Sequence, residues 1–163
     1  MLFPYKIQEM LLNDSLKSLL FKSANSNNLN AWLFRPKHQI PEITLLELHG
    51  NGGLFYSQYK SMKPLLKFGG YIFLFDYSGY SFSQGKATRE NILKDATSAV
   101  SYLTKNAKIQ NTIIVVYEHS RGGNLAAIIT LDIQDSIEGL IILDAIGIGQ
   151  RRKKSIVFYG TKN

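Results

Sequence analysis

The sequence predicts an α/β fold: a mostly parallel sheet flanked by helices, with an antiparallel hairpin at its N-terminal end. Three observations carry this. Four short apolar runs recur along the chain, ITLLEL (43–48), YIFLFD (71–76), TIIVVY (112–117) and GLIILD (139–144). Stretches of helical periodicity separate them. Two further apolar segments, flanking a polar turn, come before residue 40.

Each of the four runs is nearly continuous in apolarity and rich in β-branched or aromatic residues, the pattern of parallel strands buried on both faces. Between the second and third, Ile92, Ala96, Ala99, Val100 and Leu103 repeat at helical spacing within 89–105. Glu90 and Lys105 stand in the first and last turns, where the helix dipole favours their charges. A weaker helix is expected over 57–67, kinked at Pro64 and ended by Gly69–Gly70. A third is expected over 121–131. Strands alternating with helices imply right-handed crossovers in a parallel sheet. SLLFKSA (18–24) and LNAWLFRP (29–36), around a Ser/Asn-rich turn, predict the hairpin at the sheet edge.

The chain has 163 residues, of which 45% are hydrophobic and 19% charged, so one domain with a real core is expected over 1–163 and disorder is not. It contains no cysteine, which removes disulfides, thiolate metal sites and a cysteine nucleophile. That composition is compatible with a reducing, cytoplasmic setting. Residues 1–12 are broken by Lys6 and Glu9 and read as a segment packed on the domain, not a signal peptide or membrane attachment. Five basic residues of the +7 net charge (Arg151, Arg152, Lys153, Lys154 and Lys162) lie in the last fourteen positions, leaving +2 elsewhere. This reads as a solvated end, and no nucleic-acid partner is expected.

The chemistry concentrates in three motifs. Tyr117-Glu118-His119-Ser120-Arg121-Gly122-Gly123 follows a strand and precedes a helix. That is the context of a nucleophile elbow, a sharp turn that lifts a Ser hydroxyl above the sheet. Glu118 stands where G-x-S-x-G has its first glycine, so an ordinary Ser in a strand-to-helix turn is the competing reading. His49-Gly50-Asn51-Gly52-Gly53 follows the strand run ITLLEL and can expose backbone N–H groups to an oxyanion or a phosphate. It lacks the glycine spacing of a dinucleotide fingerprint and the Lys-Ser/Thr pair of a P-loop. A plain glycine turn is its bland alternative. The third motif, FDYSGYSFSQG (75–85), is a marker more than a chemistry.

In this order and spacing, the motifs resemble the α/β-hydrolase superfamily. The likeness is to serine hydrolases of the Bem46-like, ABHD-type and serine aminopeptidase-like groups, and runs from about residue 29 to 146. The resemblance implies Ser120 as nucleophile and the backbone N–H groups of Asn51 and Arg121 as oxyanion hole. It implies His49, Gly50, Gly52, Gly53 and Gly122 as residues that shape the loops, and Asp76 and Gly79 as structural. It implies a small-molecule acyl substrate and neither cofactor nor metal.

Such hydrolases order their triad Ser, acid, His. None of the histidines, His38, His49 and His119, follows Ser120. The acid usually lies in a turn after the next strand. KSIVFYGTKN resembles that strand and turn, but the expected position is Asn163, and Asp144 is the fallback acid. The chain therefore reads as the N-terminal part of a hydrolase, with self-association expected through an exposed sheet edge. The alternative is a non-catalytic, hydrolase-like module.

Overall fold

The computed structural model describes residues 16–36, 42–50, 55–106, 109, 111–119, 128–129, 131–143 and 157–160. In these, β1 (Leu16–Lys22) and β2 (Asn28–Phe34) form the expected hairpin, followed by β3 (Ile43–Glu47), α1 (Phe55–Met62), β4 (Tyr71–Phe75), α2 (Arg89–Lys105), β5 (Ile113–His119), β6 (Gly139–Leu143) and β7 (Val157–Gly160). The N-terminal segment 1–12, His38 and the basic residues 151–154 lie outside the described residues.

The strands form one sheet in the order β1-β2-β4-β3-β5-β6-β7. β4, β3, β5 and β6 pair in parallel, while β2 and β7 run against their neighbours. β4 sits inside the sheet and is buried at all five positions, which is why its sequence YIFLF shows no polar alternation.

Helices cover both faces. On one, Ala96, Ala99, Val100 and Leu103 of α2 pack with Phe21, Leu46, Phe73, Phe75 and Val116. Small alanines let the helix approach the aromatic floor. On the other, Met62 and Tyr59 of α1 pack with Trp32, Phe34, Ile72, Leu74 and Tyr117. Thr88 caps α2, its hydroxyl accepting from the Asn91 N–H at 3.2 Å. Expected over 57–67 with a kink at Pro64, α1 instead spans Phe55–Met62 and stops short of Pro64. A 3-10 segment, Lys63–Phe68, takes over and ends at Gly69 with φ +82°. Of the third expected helix, 121–131, residues 128, 129 and 131 are described and helical, and the helical residues run on to 133.

KSIVFYGTKN, read from sequence as resembling the strand and turn of the acid, supplies the final strand over Val157–Gly160. β7 is antiparallel to β6, with Gly160 opposite Gly139 and Val157 opposite Ile142. Its last residue, Gly160, thus lies beside the first residue of β6, away from the C-terminal strand ends. A four-residue apolar segment can pair either way; the connection preceding it decides the direction, and strand composition does not encode that.

Candidate active site

From β3 the chain crosses to β4 on one side through α1; from β5 it crosses to β6 on the other. Because crossovers are right-handed, connections leaving in opposite directions lie on opposite faces. The winding reverses between β3 and β5, and it is beyond the C-terminal strand ends at such a switch point that open α/β sheets hold their ligands. β3 and β5 pair directly, Ile43 to Glu47 against Ile113 to Tyr117. The ladder reaches one step further, the Leu48 N–H donating to Tyr117 O at 3.0 Å. The glycine loop and the serine turn therefore begin side by side. That adjacency required the sheet order; the two motifs are separated by about seventy residues of sequence.

Of the residues singled out from sequence, His49, Gly50, Asp76, Gly79 and Glu118 are described. Ser120, Asn51, Arg121, Gly52, Gly53, Gly122 and Asp144 lie outside the described residues.

His49 is buried, its ring 4.3 Å from that of Tyr77 and 5.1 Å from that of Tyr80. Nδ1 lies 2.8 Å from Gly50 O. A carbonyl only accepts, so Nδ1 carries the proton and Nε2 offers its lone pair, toward which the Tyr77 N–H points at a long 3.5 Å. Burial holds His49 below its ordinary pKa, partly offset by the Gly50 carbonyl, so the ring is neutral. With both nitrogens engaged, His49 anchors the start of its own loop and is not placed as a general base.

The loop after β4 supplies the two tyrosines and is itself tied down. Ser78 N–H donates to Asp95 Oδ2 of α2 at 2.7 Å, and Asn27 of the hairpin turn donates to Ser78 Oγ at 3.2 Å. Ser83 Oγ donates to Asp76 O at 2.6 Å and accepts from Asn30 N–H at 2.9 Å. Gly79 has φ +78°, and a Cβ there would stand 2.5 Å from Ala87 N, so only glycine fits. Asp76, expected to be structural, enters these contacts through its backbone carbonyl.

Sequence reading missed two acids of this region, Glu47 and Asp95. Glu47, Asp76, Asp95 and Glu118 are all buried. Burial, reinforced by Glu118, pushes Glu47 from 4.5 up to about 8. Burial raises Asp76 from 3.8 to about 7, against the opposing hydrogen bond from Ser81. Asp95 is raised by burial too, opposed by its hydrogen bonds with Ser78 and Ser23. The Tyr77 hydroxyl is pushed well above its ordinary range, by burial first and then by Glu47 and Glu118. The available signal was a carboxylate inside an apolar stripe: Glu47 within ITLLEL and Asp95 beside Ala96. Among the described residues no cluster of acids and histidines is arranged to hold a metal, and no helix is long and apolar enough to cross a membrane.

Residues 43–156 match the α/β-hydrolase fold family. The chain belongs to that family. It is 27% identical over 152 residues to the α/β-hydrolase domain-containing protein WAV2 of Arabidopsis thaliana, covering 88% of this chain and 49% of that one. It is 31% identical over 109 residues to protein bem46 of Schizosaccharomyces pombe, covering 61% and 33%. An esterase of Pyrococcus furiosus superposes with TM-score 0.71 at 20% identity, over 89% of this chain and 56% of that chain. At that identity the superposition speaks for the fold alone. The chain spans about half the length of WAV2.

Proposed function

We propose that this α/β-hydrolase chain carries the nucleophile half of a serine hydrolase acting on carboxylic ester, thioester or amide bonds. Ser120 Oγ attacks the carbonyl carbon, and its proton passes to a base and then to the leaving alcohol, thiol or amine. The carbonyl oxygen takes up the developing charge opposite the N–H groups of Asn51 and Arg121. Water then cleaves the acyl-enzyme and releases the acid. Because both nitrogens of His49 are engaged and no histidine follows Ser120 among these residues, the base in this reading is a histidine from further sequence or from a partner chain. Asp144 is retained as the fallback acid, and a cytoplasmic setting belongs to the same reading.

The observation that supports this most is the pairing of β3 with β5 at the switch point, which starts the glycine loop and the serine turn next to each other. Fluorophosphonate labelling tests it. Wild type is expected to take the label and Ser120→Ala to lose it; no label on wild type overturns the reading.

One observation favours the second reading, a non-catalytic module. The glycine position of the elbow holds Glu118, a buried carboxylate two residues before Ser120. Acyl-ester turnover above the Ser120→Ala background would exclude that reading.

A further inference from the structure

β1 stands at one end of the sheet order, and among the described residues no strand pairs with its outer edge. Its outward row of N–H and C=O groups, over seven residues, therefore has no ladder partner among them. Strand alternation turns Leu19 and Phe21 toward α2 and leaves Leu16, Leu20 and Lys22 on the other face. Each face has room beside this edge. On the α2 side a groove of about 480 Å³ runs between Phe21–Ala24 and the stretch of α2 from Thr97 to Asn106. Its floor is aromatic, the Phe21 and Tyr102 rings lying 5.4 Å apart. Its walls are tied: Ala24 N–H donates to Ser98 Oγ at 2.9 Å, and Asn106 Nδ2 donates to Tyr102 Oη at 3.0 Å. On the other face Leu20 is 61% exposed.

The charge around this edge has one sign. β1 carries Lys17 and Lys22 and no acid. Lys105 lines the groove, and no acid does. All three lysines are exposed, and the ion pair found among the described residues, Lys94 with Glu90, uses none of them. Lysines on an edge strand discourage a second copy, whose edge carries the same charges. They attract an acidic strand, and like-charge rejection of one partner together with attraction of another is how such a surface becomes selective.

We propose that the outer edge of β1 and the groove beside it take an extended acidic segment of a partner protein as an added strand. Its main chain continues the sheet, its apolar side chains enter the groove on one face and cover Leu20 on the other, and its carboxylates meet Lys17, Lys22 and Lys105. This surface lies three strands from β3 in the sheet order and does not depend on the serine-hydrolase reading.

The test uses a fluorescein-labelled heptapeptide of alternating valine and glutamate, titrated with the full chain and followed by fluorescence anisotropy. Two control peptides carry lysine in place of glutamate, or the same acidic sequence with alternate backbone nitrogens methylated. Wild type is expected to bind the acidic peptide and not the lysine peptide. Replacing the three exposed lysines together, Lys17→Gln, Lys22→Gln and Lys105→Gln, should weaken binding about tenfold. Methylation on the edge that meets β1 should weaken it about tenfold as well, because the added strand loses its N–H donors. Hydrogen exchange of the β1 amides should slow in the complex. No binding of the acidic peptide overturns the proposal. Equal binding of the methylated peptide, with exchange in β1 unchanged, shows charge attraction alone and overturns it too. Sedimentation of the free chain reports on the remaining occupant: dimers that Leu20→Lys breaks up would make it a second copy and would also overturn the proposal.

Discussion

Replacing Asp95 by Ala probes how the site loop is held. Asp95 sits on the buried face of α2 and accepts the Ser78 N–H at 2.7 Å, the bond that ties the loop after β4 to the helix. Alanine removes the acceptor and leaves a buried backbone N–H without a partner, for about 1–3 kcal/mol. Lost packing where the carboxyl was adds to this, so a loss of about 2–3 kcal/mol is expected. For a chain of 163 residues, that lowers the melting temperature by about 5–10 °C. Asp95→Asn is the matched control. Its amide oxygen can still accept from Ser78, and burial already favours the uncharged acid, so its loss should stay within about 1 kcal/mol. Thermal unfolding followed by circular dichroism reads both. Asp95→Ala melting with wild type would show that the bond does not hold the loop. Asp95→Asn falling as far as Asp95→Ala would show that charge, not the accepted hydrogen bond, is what matters.

Two further outcomes are expected. Gly79→Ala forces a side chain into φ +78° against the backbone of Lys86 and Ala87, and should cost about 2–4 kcal/mol in urea unfolding. Phe73→Ala empties the centre of an aromatic cluster whose rings of Phe21, Phe75 and Tyr102 lie 5.9, 6.3 and 5.7 Å away; a loss of about 3–5 kcal/mol is expected by the same measurement.

The loop contacts also bear on how the site is assembled. Tyr77 and Tyr80 hold the His49 ring between them, and Asp95, Asn27, Asn30 and Ser83 hold the loop that carries them. The hairpin at the sheet edge and helix α2 are therefore coupled to the start of the glycine loop through a chain of hydrogen bonds. Substitutions at Asn27 or Asp95, neither of which belongs to the three motifs, act on the site through this chain.

Much of the fold was legible in the residues. YIFLF and TIIVVY have too few polar positions to face water, so a doubly covered parallel sheet followed from them. The alanines of α2 fell on its buried face at the spacing that 3.6 residues per turn requires. Pro64 and Gly69 divided a helix where their backbone chemistry says they must. The motif order pointed to Ser120, Asn51 and Arg121 as a working constellation. Local sequence carries such information because propensity, periodicity and turn chemistry act over a few residues.

What only the tertiary structure decided is a matter of neighbours distant in the chain. The antiparallel direction of β7 depends on the path into it. The adjacency of β3 and β5 depends on where the sheet reverses its winding. The raised carboxyls of Glu47 and Asp76 depend on the walls closed over them: sequence shows an acid, but desolvation is a property of everything packed around it.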